Sequence, residues 1–220
     1  MKKVICVLMS LLVLLPICVL AENESSPVDN AKLTVSGSDK VIVSDFALIT
    51  EGSRSELIVA FTNIGEETIP QADIQIVFYD ENGGIIESET DAHDVFLPGS
   101  TVVTQKGIYN ESVPGYSSVE VIVDTEKHKN SYINHAENLD IVGNVSDGTV
   151  FLQVTNNDTV EIAEIEIVVV FYKDGKIVGA SEAETTKLGA GQKAIMEFSG
   201  YGNTDADDYK IFINQAHTWW

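Results

Sequence analysis

Leu57–Tyr79 reads LIVAFTNIGEETIPQADIQIVFY, and Val150–Tyr172 reads VFLQVTNNDTVEIAEIEIVVVFY. The two stretches align without a gap at a constant offset of 93 residues, with identities at Thr62/Thr155, Asn63/Asn156, Ile69/Ile162, Ile74/Ile167, Val77/Val170, Phe78/Phe171 and Tyr79/Tyr172. A chain that repeats itself over a strand–turn–strand segment is built from two copies of one β-unit. Within the second strand Ile74, Ile76 and Phe78 share one face of the pleat, as do Ile167, Val169 and Phe171 in the second copy. The opposite face carries Gln75, Val77 and Tyr79 in the first copy and the more apolar Val168, Val170 and Tyr172 in the second. The second copy's strand is therefore expected to be covered on both sides. A slip of one residue would exchange these faces, so register is strongly specified.

Outward from this hairpin the pattern continues. Strands are expected at Lys40–Thr50, Glu56–Asn63, Ala72–Tyr79, Gly84–Ser88, Ser100–Tyr109 and Ser117–Val123. The second set is Asn138–Val145, Thr149–Asn156, Ala163–Tyr172, Lys176–Ser181, Gln192–Phe198 and Asp208–Asn214. No window carries a 3.6-residue apolar period, and short strands between turn signals predict an all-β chain of two tandem Ig-like antiparallel β-sandwich domains. Asp80-Glu81-Asn82-Gly83-Gly84 and Lys173-Asp174-Gly175-Lys176 supply the positive φ angles of hairpin turns. Leu97-Pro98-Gly99 is set against Leu188-Gly189-Ala190-Gly191 as a second shared turn. The expected divisions are residues 31–130 and 131–220, joined through the polar stretch Asp124–Glu137.

Residues 1–21 have the layout of a secretory signal peptide. Lys2 and Lys3 precede an apolar run from Val4 to Leu15, Pro16 breaks it, and Val19-Leu20-Ala21 forms the cleavage site. An uncleaved anchor is the rival reading; the abrupt polar switch at Glu22-Asn23-Glu24-Ser25 argues for cleavage. Ile17 is too bulky to precede a lipidated Cys18. Residues 22–30 are read as a flexible leader. Cys6 and Cys18 both fall in the signal segment, so the mature chain has neither a disulfide nor a Cys-ligated metal. At roughly 90 residues each, the repeats are large enough to bury cores without such staples.

With 34 acidic against 13 basic residues the formal charge is −21, and loss of Lys2 and Lys3 takes it to −23. Phosphate recognition needs clustered Lys and Arg, so nucleic acid is excluded as a partner, as is membrane insertion after cleavage. There is no Gly-x-Ser-x-Gly elbow, no Ser-x-x-Lys, and no His-x-x-x-His or His-Glu-x-x-His spacing. His93, His128, His135 and His217 are read as solvated loop residues, and no enzyme is expected. No cofactor is implied, although calcium is the ion that hard oxygen ligands at Asp205, Asp207 and Asp208 would suit; Asp80-Glu81-Asn82 makes a second acidic turn. Neither completes an EF-hand loop, and a solvated acidic turn is the plain alternative. Tyr109, Tyr201, Trp219 and Trp220 stand near turns or at the chain end, where they could stack on sugar rings or anchor a protein. Packing of the tryptophans over the second sandwich competes with that reading.

A strand ending in Thr-Asn, an Ile before the next strand, Phe-Tyr followed by an Asp/Asn-Gly turn, and then Leu-Pro-Gly or Leu-Gly-Ala-Gly resembles the FxLYD-type extracellular β-sandwich domains of bacteria. The resemblance spans Glu56–Val123 and Thr149–Ile213 and departs at Lys173, where an acidic residue would stand. It implies a secreted or surface-attached protein with a structural or binding role, and it brings no catalytic residues. The Asn-x-Ser/Thr triplets at Asn23, Asn110, Asn144 and Asn157 are read, in a bacterial chain, as turn residues. The expected function is a secreted, extracellular, non-enzymatic interaction or adhesion module with a protein or glycan partner at the cell surface. The alternative is a carbohydrate-binding protein using the loop tyrosines and terminal tryptophans.

Overall fold

The computed structural model describes residues 26–27, 33–51, 54–126, 132–199 and 206–218. The signal segment, most of the expected leader and the linker residue His128 lie outside them. The described chain is all-β, with fifteen strands among the described residues and two single 3₁₀ turns. In the first half these are β1 (Ser26–Pro27), β2 (Leu33–Gly37), β3 (Val41–Glu51), β4 (Arg54–Asn63), β5 (Ile69–Tyr79), β6 (Ile85–Phe96), β7 (Thr101–Ile108) and β8 (Ser118–Asp124). The second half holds β9 (Ile133–Asn134), β10 (Leu139–Ser146), β11 (Thr149–Asn156), β12 (Ile162–Lys173), β13 (Lys176–Leu188), β14 (Lys193–Phe198) and β15 (Asp208–Thr218). No helix among the described residues is long and apolar enough to cross a membrane.

The strands form four sheets. Sheet 1 is β1-β3-β4-β7 and sheet 2 is β2-β8-β5-β6; sheet 3 is β9-β15-β12-β13 and sheet 4 is β10-β11-β14. Sheets 1 and 2 close over a core that includes Leu57, Val59, Phe61, Ile74, Ile76, Phe78, Phe96, Val119 and Val121. Sheets 3 and 4 close over Leu152, Val154, Ile165, Ile167, Val169, Phe171, Met196 and Phe198. Phe78 and Phe171 thus occupy matching cores, as the alternation of Ile74–Ile76–Phe78 and Ile167–Val169–Phe171 demands. Full burial of a side chain of this size contributes roughly 1.5–3 kcal/mol.

The structure departs from the expected strands at both ends of the chain and along two edges, and β9 lies within the expected junction. β6 and β13 run to Phe96 and Leu188, far beyond Ser88 and Ser181. Their second halves, SETDAHD and SEAETTK, lack a β-branched run because both are edge strands, where charge discourages pairing with foreign chains. Ser26–Pro27, placed in the leader, pairs with Leu48 and Ala47 on β3. β2 adds to β8 in parallel, so the sheets are not wholly antiparallel.

Register shows what the shared Thr-Asn does. The Asn63 carboxamide is fully buried and donates to the carbonyls of Glu67 (3.0 Å) and Phe96 (2.9 Å), while its oxygen accepts the Gly65 N–H (2.9 Å). Asn156 repeats this with Val160 (2.8 Å), Leu188 (2.8 Å) and the N–H of Asp158 (2.8 Å). The backbone of each Asn also accepts from the turn glycine, Gly99 or Gly191, both at φ 72°. Each Asn therefore bolts one sheet of its sandwich to the other. Phe96, not Leu97, is the counterpart of Leu188, so the offset falls from 93 to 92 beyond the hairpin. The cause is the turn: Asp174-Gly175 is a two-residue turn with φ of 51° and 76°, whereas Asp80–Gly84 is a longer loop. The same left-handed backbone residue precedes both anchors, Val95 at φ 49° and Lys187 at φ 58°.

Removing a buried carboxamide leaves three backbone groups to find other partners. Asn156→Ala and Asn63→Ala should each lower stability by about 2–4 kcal/mol in urea unfolding. Asn157→Ala, at the exposed neighbour, should stay within about 0.5 kcal/mol. Equal effects at positions 156 and 157 would refute the bolting role.

Candidate functional site

The two sandwiches meet face to face. Ala47, Ile49, Ile58, Ala60 and Val103 on the outer side of sheet 1 pack against Val168, Val170, Tyr172, Ile177 and Ala180 on the outer side of sheet 3, with Phe212 beside them. This is why the second copy's strand is apolar on both faces. Polar groups at the contact grip peptide units. Asn214 donates to the carbonyl of Val103 and accepts its N–H, both at 2.8 Å, in the manner of a neighbouring strand. Gln105 donates to the carbonyl of Ala180 (3.0 Å) and to Glu56. Tyr172 donates to Asp45 (3.2 Å), and Lys210 lies 4.4 Å from the centre of its ring. Burial first, and then the Asp45 carboxylate, push the Tyr172 phenol above its ordinary range.

Three of the four histidines correct the sequence reading, because none of the three is a solvated loop residue. His93 lies in β6, is buried, and bonds through Nε2 to Thr104 (2.9 Å). His135 is buried between Asp158 (2.7 Å) and Thr218 (3.0 Å), and that bond helps hold the Asp158 carboxyl below its usual range. His217 is buried and stacks on Tyr132, with ring centres 4.4 Å apart. Sequence spacing carries no sign of this, since their partners come from 11 (Thr104) to 85 (Tyr132) residues away.

A group of charges surrounds the edge of the contact. The Glu166 side chain accepts from Asn214 (2.7 Å). Burial pushes its pKa up to about 7; the Asn214 bond opposes this, and the charges of Glu182, Asp91 and Glu164 add to it. Asp91 belongs to the first sandwich and pairs with Lys106 at 3.4 Å. His93 is pushed down to about 4 by burial, against the pull of Asp91.

The candidate ligand residues separate. Asp205, Tyr201, Trp219 and Trp220 lie outside the described residues. The Asp207 carboxylate accepts the N–H of Asp174 (3.1 Å), and its own N–H bonds to the Tyr172 carbonyl (2.9 Å), so it braces the β12–β13 turn. Asp208 accepts the N–H of Tyr209 (2.8 Å). Asp80 likewise caps its own turn through the N–H groups of Asn82 and Gly84. Among the described residues no three His, Cys, Asp or Glu side chains converge as a metal site. Tyr109 is 73 % exposed, and the Arg54 guanidinium sits 5.5 Å from its ring centre.

A groove of about 460 Å³ opens on the outer face of sheet 2, lined by Asp73, Gln75, Thr90, Asp91, Ala92, Ile122 and Asp124. In register, Asp73, Gln75, Thr90, Ile122 and Asp124 stand where sheet 3 has Glu166, Val168, Glu182, Phe212 and Gln215, Asn214 being the extra residue of a bulge that sheet 2 lacks. The groove is therefore the counterpart of the seat that β7 fills in the second copy. The repeat made these positions legible in the sequence, but not that one of the two seats was occupied.

No protein-family model matches the chain, and no curated protein matches it. Among solved structures it is similar to the crystal structure of red sea bream transglutaminase, at 10 % identity and a TM-score of 0.22. That match covers 83 % of this chain but only 32 % of the transglutaminase chain. A superposition so loose fixes neither fold nor activity.

His93 and Glu166 give opposite pH signatures. A histidine held below its unfolded value of 6.5 adds stability that is complete above that pH and is lost as pH falls through about 4. A glutamate held above its ordinary 4.5 adds stability that is complete below 4.5 and is lost as pH rises through about 7. Between these limits the two slopes oppose. Urea midpoints measured from pH 4.5 to 7.5 should therefore rise more steeply with pH in Glu166→Gln than in the parent chain. In His93→Gln the slope should turn downward. Parallel curves for all three proteins would refute the assignment.

Proposed function

We propose that this chain is a secreted, non-enzymatic binding protein of the cell surface, built in the manner of FxLYD-type sandwiches, and that it engages a protein partner through a sheet face. The observation that carries the reading is the seating of β7 on sheet 3, with Asn214 and Gln105 gripping peptide groups. Peptide groups are common to all proteins, so a face that grips them, shaped by apolar neighbours, is a protein-recognition device. The open groove on sheet 2 lies at the corresponding place on the first sandwich and is open to an outside partner. An apolar start segment and a cysteine-free remainder support export. The reading assigns no catalytic step: the buried His93 and His135 are engaged with Thr104, and with Asp158 and Thr218.

A carbohydrate reading rests on exposed Tyr109, whose ring Arg54 already faces. The two separate in one experiment. The immobilised chain is exposed to surface proteins of the producing cells and to a glycan array, with and without a calcium chelator. On the protein reading, one surface protein is retained, and Ile122→Arg, which drives a charge into the groove, weakens retention about tenfold or more, as truncation of a central contact does. Retention indifferent to Ile122→Arg removes the groove from the function. A glycan signal abolished by Tyr109→Ala would transfer the function to sugars.

A further inference from the structure

Each sandwich closes over its own core, so the contact between sheets 1 and 3 can open while both stay folded. β7 is an edge strand of sheet 1, and the Val103 peptide turns both of its polar groups away from β4 to Asn214. Val102 and Thr104 stand opposite Phe61 and Val59, and the alternation of an antiparallel ladder directs their polar groups to β4. The amide of Val103 is therefore held by the contact, and those of its two neighbours by the sandwich.

Asn214 reaches Val103 as the extra residue of a bulge, since Glu166 lies opposite Gln215 and Ile167 opposite Ile213. Its side-chain nitrogen carries two hydrogens: one goes to Val103, the other to Glu166 at 2.7 Å. Around Glu166 gather acids of both sandwiches. β12 brings Glu164, 3.8 Å from His217 of β15, and β13 brings Glu182 and Glu184, the latter directly opposite Glu166. β6 brings Asp91 and, on the same side of the strand, Glu89; Lys106 of β7 lies 3.4 Å from Asp91. Glu56 of β4 is engaged by Gln105, and His93, 3.8 Å from Asp91, is kept neutral by burial until the pH falls to about 4. The acids outnumber the lysine set among them.

We infer that this contact is a proton-sensitive clasp: Glu166 keeps the seat of β7 closed while it holds a proton, and its ionisation loosens sheet 1 from sheet 3 with both sandwiches still folded. Closed, Glu166 is half-buried and faces Asp91 and Glu182; open, it is hydrated and farther from Asp91. Its negative charge is therefore harder to hold in the closed contact. Burial and the facing charges outweigh the Asn214 bond and carry Glu166 from 4.5 up to about 7. A group raised in the closed form gives strength that is complete below 4.5 and is lost as pH rises through about 7. Glu182, raised by burial and then by Asp91, acts in the same sense. The clasp goes beyond the binding of a partner and requires none, so neither reading falls with the other.

Hydrogen exchange at the Val103 amide tests this in the folded chain, with protection taken relative to the rate of an unstructured peptide at each pH. Between about pH 5.5 and 8, Val103 should lose about tenfold or more of its protection relative to Val102 and Thr104. Glu166→Gln keeps an oxygen for Asn214 without the charge, and should hold Val103 level across that range. Asp91→Asn, on the facing sandwich, should flatten the loss in part, and it serves as the test if Glu166→Gln does not fold. Glu66→Gln, in the exposed β4–β5 turn, should follow the parent chain. Val103 protection that keeps step with Val102 and Thr104 at every pH overturns the inference. So does a loss that persists in Glu166→Gln, or an Asp91→Asn slope equal to the parent's.

Discussion

Two sheet faces are withdrawn from water together, and the arrangement of the whole chain follows from that pairing. β12 can be apolar on both sides only because sheet 1 covers the side that sheet 4 does not. Apolar area alone would leave two smooth faces free to slide. Asn214 removes that freedom by completing both hydrogen bonds of the Val103 peptide, and a buried peptide left without partners would cost more than most alternative registers gain. Packing supplies the driving force and one carboxamide supplies the position.

The same contact explains the placement of charge. A chain this acidic cannot keep every carboxylate far from every other, and at the edge of the contact Asp91 of one sandwich faces Glu166 and Glu182 of the other. Lys106 lies against Asp91, and Asn214 donates to Glu166. The amide thus joins the apolar contact to the acidic rim: one end holds a strand in place and the other steadies a half-buried acid.

What the sequence disclosed follows from how far each signal reaches. Alternation at Ile74, Ile76 and Phe78 is a local consequence of the pleat, and it placed the core in both copies. The identity of Asn63 and Asn156 was visible, yet its cause was not, because the carbonyls they hold on the facing sheet lie 33 and 32 residues downstream. The acidic second halves of β6 and β13 resembled loops because an edge strand is selected for solubility rather than for packing. Histidines were misread for a related reason: burial is a property of the assembled fold, and nothing beside His93 announces Thr104. The groove was hidden since its meaning comes from comparing two equivalent faces, one filled and one open.

The covering of sheet 1 by sheet 3 also orders events in time. The first sandwich has all of its own strands once Asp124 has emerged, yet Ile49, Ile58 and Val103 must wait for β12, β13 and β15, which begin only at Ile162 and end at Thr218. Throughout that interval a nascent chain carries an oily panel with no lid, and neighbouring copies carry the same panel. A heavy negative charge keeps such intermediates apart, so the acidity of the finished protein is also the safeguard of its half-made form.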